Sequence, residues 1–190
     1  MRILGVDPSL QCTGYGLIEA GSGSLKVLEG GVIRTDASLS LDRRLLTLYE
    51  GIAAVMREFA PEHVVVEELY SKYEHPRTAI LMGHARGTVL LAAATLAIPY
   101  QGYEASLVKK SITGNGRATK GQVAGMVCKL LDLAEPPTPD DVTDALALAV
   151  CHASPLRGNT AIILGRRRPP LEFITDAQGR TTLKPRGGRS

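Results

Sequence analysis

Apolar positions along the chain follow two periodicities, and their succession predicts an α/β fold. Ile3-Leu4-Gly5-Val6 is an unbroken apolar run ending at Asp7 and Pro8, the pattern of a central strand buried on both faces. Residues 13–20 and 25–34 are rich in β-formers and are separated by Gly21-Ser22-Gly23-Ser24, which predicts an antiparallel hairpin. From Leu41 to Phe59, the residues Leu45, Leu48, Ile52, Val55 and Met56 recur at helical spacing with charges between them. Pro61 stops that helix, and residues 63–68 read as a second buried strand. A long helix over 78–97 contains the small residues Gly83, Ala85 and Gly87, and a short strand follows at 99–102.

The remaining pattern is helical. A short helix over 104–111 leads through the loop Thr113-Gly114-Asn115-Gly116-Arg117 into a helix over 119–131. The run Glu135-Pro136-Pro137-Thr138-Pro139 opens a final helix from Asp140 to Ala153, with Thr138 expected as N-cap and Pro139 as the first helical residue. Three strands, helix, strand, helix, strand and helices describe a mixed β-sheet with helices on both faces. After residue 156 the composition shifts to Arg, Pro and Gly. A folded body over 1–156 and a mobile tail over 157–190 are expected, with alternating apolar residues at 160–164 and 171–175 able to form a weak hairpin.

Composition narrows the class. With 44% apolar and 22% charged residues in 190, the chain suits one well-buried soluble domain. Cys12, Cys128 and Cys151 are odd in number and form no CxxC pair, which argues against a zinc site or disulfide framework and for a reducing, cytoplasmic setting. The N-terminus meets a charge and a proline too soon for a signal peptide, and His84 and Arg86 interrupt the one long apolar stretch, so no membrane association is expected.

The net charge of +3 conceals an asymmetry: residues 157–190 carry eight Lys or Arg against two acids, and residues 1–156 carry 14 against 17. Within the body, Lys109, Lys110, Arg117, Lys120 and Lys129 face only Glu104 over residues 104–129, a candidate phosphate-contacting surface.

Candidate chemistry lies in acids placed beside apolar runs. Asp7 and the Glu67-Glu68 pair end predicted strands, and Asp141 and Asp144 share one face of the last helix, one turn apart. Carboxylates beside a core are costly unless paired, protonated or bound to a cation. If they converge, they form an all-oxygen site suited to Mg²⁺ or Mn²⁺ and to phosphoryl chemistry. Strand alternation sends Glu67 and Glu68 to opposite faces, so one of the two joins the site, and alternation alone leaves the choice open. Lys120 opens a helix, an unfavourable position for a cation unless it contacts an anion.

Gly5-Val6-Asp7-Pro8, Thr13-Gly14-Tyr15-Gly16, Val66-Glu67-Glu68, Gly83-His84-Ala85-Arg86-Gly87 and Asp141-Val142-Thr143-Asp144-Ala145-Leu146-Ala147 follow one another in an order and spacing that resembles the RuvC family. That family comprises bacterial Holliday junction resolvases of the ribonuclease H-like fold. The resemblance covers about residues 1–153. It implies a homodimer that binds a four-way DNA junction and nicks two symmetry-related strands, in recombination and repair.

By the same resemblance the catalytic, metal-binding tetrad falls on Asp7, Glu67, Asp141 and Asp144, choosing Glu67 over Glu68. The catalytic lysines fall on Lys109 and Lys120, and a junction-probing aromatic on Tyr70. The DNA-binding residues are then Tyr70, Lys109, Lys110, Arg117 and Lys120. Two Mg²⁺ or Mn²⁺ ions per subunit, 5′-phosphate products and a handover from the branch-migration proteins RuvA and RuvB are implied as well. Ser9 departs from the Gly usual after Asp-Pro and is expected to alter the first turn slightly. The tail has no counterpart; its Arg166-Arg167-Arg168 cluster is expected to tether DNA without regard to sequence. The competing readings are an ATP-binding protein of the actin, Hsp70 and sugar-kinase type and a non-catalytic junction-binding protein.

Overall fold

The structure, a computed structural model, describes residues 1–21, 23–69 and 76–154, together with strand backbones at 171–175 and 181–185. Five strands form one sheet: β1 (Arg2–Asp7), β2 (Cys12–Ala20), β3 (Leu25–Arg34), β4 (His63–Glu67) and β5 (Tyr100–Tyr103). Their order across the sheet is β3-β2-β1-β4-β5. The first three strands meander antiparallel, and β4 and β5 join in parallel. The unbroken apolar run of the first strand therefore occupies the centre, as its pattern requires.

Alternation along each strand distributes the core to two faces. Leu4, Val6, Tyr15, Leu17, Val64 and Val66 point to one face, where α1 (Leu41–Phe59) contributes Ile52, Ala53 and Met56 and α2 (Pro76–Thr95) contributes Val89, Ala92 and Ala93. Ile3, Ile18 and Val65 point to the other, against α3 (Ala105–Thr113), α4 (Lys120–Leu131) and α5 (Asp140–Ala153). Helix α5 is buried nearly all round because the sheet lies on one side of it and α3 and α4 pack against it as well.

Helix α5 approaches β1 and β2 very closely, and three glycines make room for it. Gly5 pairs with Gly16 across the β1–β2 ladder, and Gly14 pairs with Asp7. A Cβ on Gly5 would run into the backbone carbonyl of Ala145, and one on Gly16 would stand 2.6 Å from Leu146 Cδ2. The apolar face of the helix thus rests on a floor free of side chains.

One expectation needs correction. Helix α5 begins at Asp140, and its capping position is held by Pro139, whose extended ψ of 168° precedes the first helical turn. Proline has no side-chain oxygen to cap with, so Thr138, one residue too early, does not serve as N-cap. Thr143 instead donates its hydroxyl to Pro137 O at 3.2 Å, tying the proline-rich run to the helix. In the tail, 171–175 (β6) pairs antiparallel with 181–185 (β7), and 160–164, the other segment expected in a hairpin, lies outside the described residues. Finally, Ser9 uses its backbone alone: its N–H donates to Thr13 Oγ1 at 3.1 Å and its carbonyl accepts from the same hydroxyl at 2.5 Å. Its φ is not positive, so the turn has no need of glycine.

Candidate active site

Asp7 and Glu67 end adjacent parallel strands. Because Val6 pairs with Val66, the next residue on each strand stands beside the other, and both leave the sheet on the α5 face. Glu68 turns to the opposite face, where its carboxylate meets Arg86 of α2 at 2.8 Å. Register thus separates the two glutamates.

The other two acids descend from α5. Gly14, across the ladder from Asp7, is the seat of Asp141: a Cβ there would stand 2.7 Å from Asp141 Cβ and overlap its backbone carbonyl. Asp144 is one helical turn further on and accepts a hydrogen bond and ion pair from Lys120 Nζ at 3.0 Å. Lys120 owes its placement to a capping box, in which Thr119 Oγ1 accepts from Gln122 N at 3.2 Å and Gln122 Oε1 from Thr119 N at 2.9 Å. This cation at a helix start is explained by its anion: the Asp144 contact holds the Lys120 ammonium above its ordinary pKa.

Burial and neighbouring charge act on both strand-end acids. The Asp7 carboxyl is pushed up to about 7, first by burial and then by Glu67, Asp144 and Asp141, with Lys120 opposing. Glu67 is raised by burial and by Asp144, and lowered by Lys120 and Lys109. Among the described residues no group of three or more His, Cys, Asp or Glu is drawn together as a finished cation cage. The carboxylates share a neighbourhood without closing on a common point. The donor set fits a hard divalent cation: half-buried carboxylate oxygens in excess of the positive charge that Lys120 and Lys109 bring.

The predicted basic residues divide by exposure. Lys109 is half-buried and faces Glu67, whereas Lys110 and Arg117 are exposed on the outer side of α3 and its following loop. That loop is ordered by Gly114 at φ 78° and by Asn115 Oδ1, which accepts from Arg117 N at 2.9 Å. Tyr70 lies outside the described residues, as does the Arg166-Arg167-Arg168 cluster.

Two neighbours of the site were not among the expected site residues. Cys12, at the start of β2, donates its thiol to Asp141 Oδ2 at 3.6 Å, and burial with the nearby Asp141 raises its pKa. Arg86, part of the Gly-His-Ala-Arg-Gly segment, donates Nε to Glu67 O at 3.2 Å. Its helical neighbour His84 is exposed. His152 sits half-buried in α5 with Nδ1 3.0 Å from Tyr103 Oη.

Comparison with known proteins agrees with this geometry. The family model described as crossover junction endodeoxyribonuclease RuvC matches residues 3–152. The protein of that name from Moorella thermoacetica is 46% identical over 168 residues, spanning 87% of this chain and 100% of the relative. The one from Desulforamulus reducens is 46% identical over 153 residues, 80% of this chain and 93% of the relative. Among solved structures, T. thermophilus RuvC in complex with Holliday junction substrate superimposes with a TM-score of 0.78 at 34% identity, covering 85% of this chain and 98% of that one. The yeast mitochondrial Holliday junction resolvase Ydc2, at 11% identity and a TM-score of 0.56 over 80% of this chain and 78% of its own, shares the fold. Neither competing reading gains support from the site or from these likenesses. The mixed sheet is of the ribonuclease H-like type, and the chain belongs to the RuvC family of crossover junction endodeoxyribonucleases.

Proposed function

We propose that this chain is a structure-specific endonuclease that resolves four-way DNA junctions by metal-dependent, paired nicking of two symmetry-related strands. The observation that carries the reading is the placement of four carboxylates at one end of the sheet: Asp7 and Glu67 on adjacent strand ends, Asp141 seated over Gly14 beside Asp7, and Asp144 one helical turn further on, with Asp7 pushed up to about 7 by burial and then by the other three. Those four residues would hold Mg²⁺ or Mn²⁺, two ions per subunit. Bound there, such ions would supply charge neutralisation for the attacking and leaving oxygens of an in-line displacement, and the product would carry a 5′-phosphate.

The protein's own side chains then have defined tasks. Lys120 and Lys109 stand on the α3–α4 side of the acids, where the scissile phosphate brings further negative charge. Lys120 exchanges Asp144 for that phosphate, or holds both. Replacing Lys120 with Ala is expected to slow single-turnover nicking by roughly 10²-fold, the scale for loss of one charged donor at a reacting centre. Junction affinity should fall far less. Lys110 and Arg117 bind phosphates further along the arm, so their loss should flatten the salt dependence of binding by about one counterion each. Tyr70 is assigned to stacking at the crossover.

A homodimer suits a two-fold junction, because two copies present two sites. Helix α2 supplies a fitting surface: Ile80, His84, Gly87 and Leu91 fall on one exposed stripe, with Ile80 and Leu91 each 60% accessible. A Cβ on Gly87 would meet nothing within 4 Å, so a partner backbone can come close there. Leu91→Asp should convert the dimer to monomer in sedimentation at micromolar concentration, with a folded circular dichroism spectrum. An unchanged dimer would move the interface elsewhere. No described helix is long and apolar enough to cross a membrane; we assign the enzyme to the cytoplasm, receiving junctions from RuvA and RuvB.

The function is tested with a labelled synthetic junction and a linear duplex of the same sequence. Paired nicks at symmetric positions of the junction, with 5′-phosphate ends that ligase seals, are expected. Equal cutting of the duplex would indicate a generic nuclease instead.

A further inference from the structure

We infer that Arg86 is a positioning residue for the active site, fixing the end of β4 from helix α2 so that Glu67 is aimed at the other carboxylates. The inference rests on the reading of that site as a metal-dependent nuclease centre. One guanidinium holds two successive residues: Nε donates to the backbone carbonyl of Glu67 at 3.2 Å, and Nη2 pairs with Glu68 Oε2 at 2.8 Å. The Arg86 side chain is only 17% exposed, so this is an anchored contact rather than a surface ion pair.

The rest of the strand end is built around the same clamp. Glu68 N donates to Tyr103 O at 2.9 Å, extending the β4–β5 ladder one residue past Glu67. The Glu68 side chain then folds across β5 at Gly102, where any Cβ would overlap its carboxylate. Leu69, the next residue, lies over Gly83 on α2, where an added Cβ would stand 3.8 Å from its Cδ1. Glu67 is thus held from behind by residues that never touch the site, and its carboxylate inherits its direction from them.

Arg86 is suited to this because a planar guanidinium donates in two fixed directions at once, which a lysine head does not. Glu68 provides the second anchor and the counter-charge that makes a mostly buried arginine tolerable. The Gly-His-Ala-Arg-Gly segment therefore splits its work by face: His84 and Gly87 point outward on the exposed stripe, and Arg86 points inward to β4.

The test compares Arg86→Gln, Glu68→Ala and Glu68→Gln with the parent protein by three measurements: junction affinity without divalent cation, single-turnover nicking, and Mn²⁺ binding by electron paramagnetic resonance. Arg86→Gln and Glu68→Ala should lose about 10–100-fold in both nicking and Mn²⁺ affinity, the usual cost of removing a partner that orients a metal ligand. Junction affinity and dimer mass should stay as in the parent. Glu68→Gln keeps an oxygen for the guanidinium and should stay within about threefold of it, a residual of well under 1 kcal/mol.

Unchanged nicking and Mn²⁺ affinity in Glu68→Ala would overturn the proposal, and this variant decides the matter if Arg86→Gln fails to fold. A loss of melting temperature without any shift in Mn²⁺ affinity would also overturn it, reducing the clamp to packing. Should the parent bind Mn²⁺ and the variants lose it while no protein nicks junctions, the positioning role would stand and the nuclease reading would fall.

Discussion

Asp7→Asn protein is expected to nick a four-way junction slower than the parent by on the order of 10³-fold or more, while binding the junction as tightly. The substitution keeps the shape of the side chain and removes the carboxylate on which Glu67, Asp144 and Asp141 all act. Single-turnover nicking and a gel-shift titration on the same preparations give both quantities. Retained nicking would remove Asp7 from the mechanism.

The same variant should change how stability responds to pH in cation-free buffer. The folded Asp7 carboxyl keeps its proton to about 7, whereas its ordinary value is 3.8. Between about pH 4 and pH 7 the native state therefore binds more protons than the unfolded chain, and stability falls as pH rises through that window. One proton held over roughly three pH units corresponds to as much as about 4 kcal/mol. Asn cannot titrate, so Asp7→Asn should flatten this slope and be the more stable protein at pH 7.5 in chelator. Added Mg²⁺ should restore the parent by binding its native state. Denaturant midpoints at pH 4.5, 6 and 7.5 measure the effect; a parent whose stability rises with pH across that range would contradict the assignment.

Gly5→Ala should be the most damaging single-methyl change in the core. The new Cβ would run into the Ala145 carbonyl and stand 3.0 Å from Ala149 N, both backbone atoms that no rotamer change can move. Helix α5 must retreat from β1 and lift its own buried residues with it, a cost of about 3 kcal/mol or more, at the upper end for overpacking. For a domain of this size that is roughly 6–12 °C in melting temperature.

Gly14→Ala strikes the same helix at its first turn, against the backbone and Cβ of Asp141. It should lower the melting temperature less, because the end of a helix shifts more readily than its middle, and should lose more activity than stability. Thermal denaturation and single-turnover nicking on both variants check the contrast. An unaltered melting temperature in Gly5→Ala would mean that the helix does not rest on β1 as described.

Much of this architecture was legible in the chain. The apolar run before Asp7 announces a central strand because a strand covered on both faces has no use for alternation. Helix α1 was equally plain from its spacing. The acids were legible as a group, since each stands where burial makes a lone carboxylate costly. What periodicity could not resolve was which of Glu67 and Glu68 turns inward. That depends on register between β1 and β4, a long-range property, and without it the motif resemblance alone favoured Glu67.

Other features were out of reach for similar reasons. The exposed side of α2 is one of them: its apolar residues show little periodicity, and which side of such a helix is left uncovered depends on what packs against it. Thr138 satisfies the local rule for a cap, but the extended Pro139 shifts the helix start by one residue. Cys12 and Arg86 acquire their meaning from partners 129 and 19 positions away, and nothing in their own surroundings announces those partners.

The central claim is that Asp7, Glu67, Asp141 and Asp144 act as one divalent-cation site. Its most direct test is anomalous scattering from crystals of the protein soaked in Mn²⁺ at a concentration that supports junction nicking. Anomalous peaks within bonding distance of the Asp7 carboxylate, and shared with the carboxylates of Glu67, Asp141 and Asp144, are the predicted result. Mn²⁺ bound elsewhere, with those four carboxylates left without density between them, would contradict it.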